Sequence, residues 1–88
     1  MIEKILKIQN KMGLHARPAA AFVQTANRYN SEVLLIKNGI EANGKSVMGL
    51  MMLAAEYGSD ILLRVWGDDE KQAARALETL FNNKFSEE

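Results

Sequence analysis

The sequence predicts an α+β domain in which helices cover one face of an antiparallel sheet and leave the other partly wet. Three observations predict it. "IEKILKI" at 2–8 and "DILLRVW" at 60–66 alternate apolar and polar positions as half-buried strands do, while two other segments repeat their apolar residues at helical spacing. An Asn38-Gly39 pair divides a β-rich run as a two-residue hairpin turn would. Taken in order, the segments read strand, helix, strand, strand, helix, strand, helix, and helices inserted between antiparallel strands collect on one sheet face.

In the first strand, about 2–8, Ile2, Leu6 and Ile8 share one parity, with Lys4 as an exception. The first helix is predicted over roughly 16–28, where Ala19, Phe22, Val23 and Ala26 recur at helical spacing before the stop signals Asn27 and Asn30. Two antiparallel strands follow near 32–37 and 40–43, with a second Asn-Gly pair at 43–44. Ser46 stands as an N-cap before "VMGLMMLAA", which reads as a short helix weakened by Gly49, with Leu50 and Leu53 in the core. The fourth strand carries Ile61, Leu63 and Val65 on one face and ends at Gly67. "DDEKQAARALETLFNN" opens with acidic residues suited to a helix N-terminus, with Asp69 and Gln72 resembling a capping box. Ala73, Ala74, Leu77, Leu80 and Phe81 form its apolar stripe.

Eighty-eight residues, 48% apolar and 25% charged, suit one packed domain spanning 1–88. Eleven basic and eleven acidic residues cancel, so no global field attracts nucleic acid or an anionic membrane. With no cysteine there is no disulfide and no thiol catalysis, which fits a reducing compartment, and a cytoplasmic location is expected. The opening "MIEKILKIQNK" holds no apolar run of signal-peptide length, and no stretch approaches a membrane span. One histidine with scattered carboxylates makes no metal-ligand set, and nothing ties Asp60 or Asp68 to His15 as a serine-type triad would require.

That histidine, the only one in the chain, lies in "GLHARPAA" at 13–20, between a glycine turn and a helix start. The first amides of a helix have no carbonyl partner and sit at the positive end of its dipole, so main chain alone forms an anion site there. Pro18 suits the first turn, and Gly13 permits a backbone conformation that a Cβ would hinder. Arg17 adds planar donors suited to phosphate oxygens. A neutral imidazole is a competent nucleophile near neutral pH, and phosphoryl transfer needs mostly positioning and charge stabilisation. Taken alone, a histidine in a loop before a helix is more often an exposed cap residue.

"GLHARPAA" closely resembles the active-site segment of the histidine-containing phosphocarrier protein (HPr) family, and "GKSVMGLMMLAA" at 44–55 resembles that family's regulatory-serine segment. The resemblance covers essentially the whole chain and implies an open-faced β-sandwich, a four-stranded antiparallel sheet with three helices on one face. It implies that His15 accepts a phosphoryl group, on Nδ1, from phospho-enzyme I, itself charged from phosphoenolpyruvate, and passes it to enzyme IIA. Arg17 would pair with that phosphate, and the amides of Ala16 and Arg17 would serve as helix-end donors. No cofactor is implied.

Ser46 carries over as the site modified by an ATP-dependent HPr kinase/phosphorylase, although a bare cap is the simpler use of a serine there. Ala20, Val47, Met48 and Met51 carry over as the partner-docking rim, and methionine suits a surface that fits several partners in turn. A monomer keeps such a face free. Met12 stands where many sugar-system members have a small polar residue, and "NKMGLHARPAA" looks more like the proteobacterial version, some examples of which serve the nitrogen-related phosphotransferase system. Two other roles compete with the carrier reading. One is a regulatory binding module acting through its Ser46-phosphorylated or His15-phosphorylated state on a transcription factor or metabolic enzyme; the other is a structural domain with an incidental histidine.

Overall fold

The computed structural model describes residues 1–86; the last two residues of the predicted domain, 87 and 88, lie outside the described residues. Its elements are β1 (Ile2–Lys7), α1 (Ala16–Ala26), β2 (Glu32–Lys37), β3 (Ile40–Asn43), α2 (Val47–Met52), β4 (Asp60–Trp66) and α3 (Glu70–Asn82). A short turn at Lys84–Ser86, with positive φ at each residue, follows α3. The four strands form one antiparallel sheet in the order β1-β4-β2-β3, so β4 lies centrally although it comes last in the chain.

Alternation along the strands sorts the two faces. Ile61, Leu63 and Val65 of β4 and Val33 and Leu35 of β2 are buried beneath the helices, whereas Leu62, Leu34 and Ile36 are half-buried on the uncovered face and Ile5, paired with Leu62, is largely exposed there. Helix α1 lies against both α2 and α3, and Phe22 of α1 meets Phe81 of α3 edge to face at 6.1 Å between ring centroids. Leu50 and Leu53 are buried with them. The β2–β3 hairpin turns through Asn38 (φ 51°) and Gly39 (φ 80°), the two positive φ angles a two-residue turn requires.

The ends of β1, α1 and α2 and one cap differ from the sequence expectation, α2 closing at Met52 rather than running on to Ala55. β1 stops at Lys7, because Ile8, though buried, donates to the Ser59 carbonyl and accepts from the Gly58 amide, bonds to the 58–59 turn rather than to a strand. Lys4 shares the parity of Leu6 but reaches out from the sheet edge to Glu78 of α3, with Nζ to Oε1 at 2.8 Å. α1 closes at Ala26, where Arg28 and Tyr29 donate to the Thr25 and Ala26 carbonyls and tighten the last turn. α3 starts at Glu70, and the predicted Asp69–Gln72 capping box does not form. The Asp69 carboxylate instead accepts from the Asn30 amide (2.9 Å), the Ser31 amide (3.0 Å) and the Ser31 hydroxyl (2.5 Å), tying the α1–β2 connection to the start of α3. Glu70 accepts from the Gly67 amide in its place.

Candidate functional site

His15 is the N-cap residue of α1. Its backbone is extended (φ −84°, ψ −168°), its carbonyl accepts from the Ala19 amide at 3.0 Å, and its half-buried side chain does not cap the helix. The next two residues, Ala16 and Arg17, are exposed and supply the two main-chain donors of the first turn; Pro18, buried behind them, has none to supply. The Arg17 guanidinium makes no hydrogen bond or ion pair with any described residue. Imidazole, guanidinium and two amides therefore belong to one helix start.

A braced loop delivers the imidazole to that position. Asn10, fully buried, donates from Nδ2 to the Gly13 carbonyl at 2.7 Å, while the Gly13 amide returns a bond to the Asn10 carbonyl at 3.1 Å. The Leu14 amide then donates to the Ala55 carbonyl at 2.9 Å, which pins the loop to the segment after α2. Gly13 has φ +72°, and a Cβ on it would run into the Ala55 carbonyl oxygen. The close approach leaves an open groove of about 550 Å³ beside His15, walled by Met12, Met51, Ala54 and Tyr57.

Ser46 occupies the equivalent position on α2, and there the side chain closes the cap: Oγ accepts from the Gly49 amide at 3.0 Å. A Cβ on Gly49 would lie 3.2 Å from that hydroxyl, so the glycine that weakens the helix leaves room around the cap. Of the expected docking rim, Met48 (71%) and Met51 (40%) are exposed, while Ala20 and Val47 are half-buried, Val47 packing on the core. Only Met51 of these four lines the groove beside His15.

Tyr57 and Met12, 66% and 76% exposed, share that groove but were not among the residues expected at the site. Both come from irregular segments with no periodicity to mark them, and the Gly13–Ala55 approach that brings them together is invisible to local pattern. Among the described residues no helix is long and apolar enough to cross a membrane, and no three His, Cys, Asp or Glu side chains gather as metal ligands.

Residues 2–83 match the family model described as the PTS HPr component phosphorylation site. The chain is 48% identical over 88 residues to the phosphocarrier protein HPr of Treponema pallidum, covering all of both chains. The crystal structure of HPr from Thermoanaerobacter tengcongensis superposes with a TM-score of 0.96 at 46% identity, over 100% of this chain and 99% of that one. Crh, a Bacillus subtilis catabolite-repression protein crystallised as a swapped dimer, superposes at 0.77 with 43% identity, over 96% and 97% of the two chains. The fold and these likenesses place the chain among the small HPr-type proteins of the phosphotransferase system, and relatives such as that of Treponema pallidum are named as phosphocarriers. The chain belongs to the HPr family.

Proposed function

We propose that His15 accepts a phosphoryl group from phospho-enzyme I, charged from phosphoenolpyruvate, and passes it to enzyme IIA. The observation that carries this reading is the position of His15 at the α1 N-cap with its ring outside the cap, beside the exposed Ala16 and Arg17. In the first step the bond from phosphorus to the donor group breaks as a bond from phosphorus to an imidazole nitrogen of His15 forms; the family resemblance makes that nitrogen Nδ1. In the second the same bond breaks as the acceptor takes the phosphoryl group, and the imidazole returns unchanged. Arg17 and the amides of Ala16 and Arg17 hold the phosphoryl oxygens, supplying the charge stabilisation on which phosphoryl transfer depends.

Ala20, Val47, Met48 and Met51 form the docking rim, and Ser46 is the target of an HPr kinase/phosphorylase. A phosphate on Ser46, with about −1.5 to −2 charges, would penalise the approach of an acidic partner surface. The carrier works as a single-domain monomer in the cytoplasm. Likeness to Crh favours a second reading, a regulatory module whose phosphorylated Ser46 or His15 is recognised by a transcription factor or metabolic enzyme.

Intact-mass spectrometry after incubation with enzyme I and phosphoenolpyruvate tests the carrier reading. One acid-labile phosphoryl adduct is expected, absent from His15→Ala. No adduct from an enzyme I active on another carrier would leave the regulatory reading, and an undiminished adduct in His15→Ala would remove His15 from the mechanism.

A further inference from the structure

A second groove, of about 500 Å³, runs between the last turn of α1 and the outer face of α3. It shares no lining residue with the groove beside His15 and lies at the other end of α1, a helix of 11 residues and so about 16 Å long. Arg28 and Arg75 border it, and neither guanidinium makes a hydrogen bond or ion pair with any described residue. Gln72 and Thr25 also line the groove, and neither side chain has a hydrogen-bond partner among the described residues. Among the described residues no carboxylate lines it, although the chain as a whole carries as many acids as bases.

Its floor is apolar. Leu80 and the ring of Tyr29 pack on the core from below yet remain half-exposed towards the groove, and Ala76 lies between. Residues 72, 75, 76, 79 and 80 are spaced over two turns of α3, so the polar border and apolar floor extend about 12 Å along the helix. The volume falls within the range of small-molecule sites, which pair an apolar lining with a few convergent polar groups.

We infer that this α1–α3 groove binds a small organic phosphate, its phosphoryl group held by Arg28 and Arg75 and its body laid over Ala76 and Leu80. Two guanidiniums, an amide and a hydroxyl offer more donors than a carboxylate can accept, whereas the three oxygens of a phosphate monoester accommodate them. An uncharged ligand would leave both cations without a counter-charge. Because the groove is separate from His15, its occupation neither requires nor excludes phosphoryl transfer there.

The test is titration of ¹⁵N-labelled protein, followed by NMR, with AMP, ribose 5-phosphate, inorganic phosphate and adenosine as separate probes. AMP is expected to shift the amides of residues 25–29 and 72–80 saturably, ribose 5-phosphate and inorganic phosphate to do so more weakly, and adenosine not at all. Arg28→Gln and Arg75→Gln should each weaken AMP binding about tenfold, the loss of one charged hydrogen-bonding partner. Dispersed spectra of both variants establish that the fold is retained. Phosphate-dependent shifts confined to residues 15–17, AMP binding undiminished in both Arg28→Gln and Arg75→Gln, adenosine binding as tightly as AMP, or no shift with any probe at millimolar concentration would each overturn the inference.

Discussion

Helices α1 and α2 begin alike and end their likeness at one side chain. Each is preceded by a residue in extended conformation, His15 and Ser46, whose carbonyl accepts the first intrahelical bond, from Ala19 at 3.0 Å and from Leu50 at 3.0 Å. At α2 the serine hydroxyl turns back onto the Gly49 amide and satisfies a donor that the helix cannot. At α1 the imidazole does not, Pro18 removes one amide from the first turn, and Ala16 and Arg17 keep theirs facing outward. A helix start closed by its own cap is stabilised, whereas one left to its amides is prepared for an anion from outside.

The largest effect that sharpens this contrast is expected at Arg17. Arg17→Gln removes an exposed guanidinium that supports no other described residue, so stability should be unchanged. The rate of labelling at His15 by phosphoenolpyruvate and enzyme I should fall about a hundredfold, the usual cost of removing one preorganised charge stabiliser. Rapid-quench measurement of the labelled protein checks it, and an unchanged rate would leave the amides as the only stabilising groups. Gly13→Ala attacks the open start from behind. With φ +72° and the Ala55 carbonyl in the path of a Cβ, it should cost about 2 kcal/mol in urea unfolding and also slow labelling, since the loop that presents His15 must shift.

The contrast was half legible in the sequence. Glycine, histidine and proline at 13, 15 and 18, and serine at 46, mark both helix starts because caps are local chemistry. Strand parity likewise exposed β4 and its buried face. What local pattern missed depends on contacts distant in sequence. Asp69 looks like half of a capping box, but its carboxylate finds three donors in residues 30 and 31 and leaves its own helix uncapped. Met12 and Tyr57 come to line one groove where the Gly13–Leu14 loop closes on Ala55, a contact distant in sequence.

Breaking the closed start should have a smaller effect. Ser46→Ala removes the bond to Gly49 and should cost about 1 kcal/mol, or about 4 to 8 °C in Tm for a domain of this size, with labelling at His15 unchanged. Ser46→Asp keeps a cap acceptor but adds charge. It should retain stability and slow transfer from enzyme I severalfold, so comparing the two variants by thermal unfolding and by labelling separates the cap from the charge.

The smallest effect concerns the third helix start, where the N-cap residue of α3 serves a different segment. The Ser31 hydroxyl, followed by the Asn30 and Ser31 amides, holds the Asp69 carboxyl below its ordinary value near 3.8, with partial burial opposing them. A carboxylate whose pKa is lowered by folding stabilises the folded state above the unfolded pKa, and that contribution disappears as pH falls through the folded value. Unfolding midpoints should therefore be flat with respect to Asp69 from neutral pH down to about 4 and decline below it. Glu70 adds to the same limb, since the Gly67 amide and then the N-terminal ammonium group lower its carboxyl. Asp69→Asn should lower the midpoint at pH 7, because the amide carries no charge and offers one acceptor oxygen to three donors, and it should flatten the acid limb. Equal acid slopes for the wild type and Asp69→Asn would mean that the link between the α1–β2 connection and α3 does not depend on the charge of Asp69.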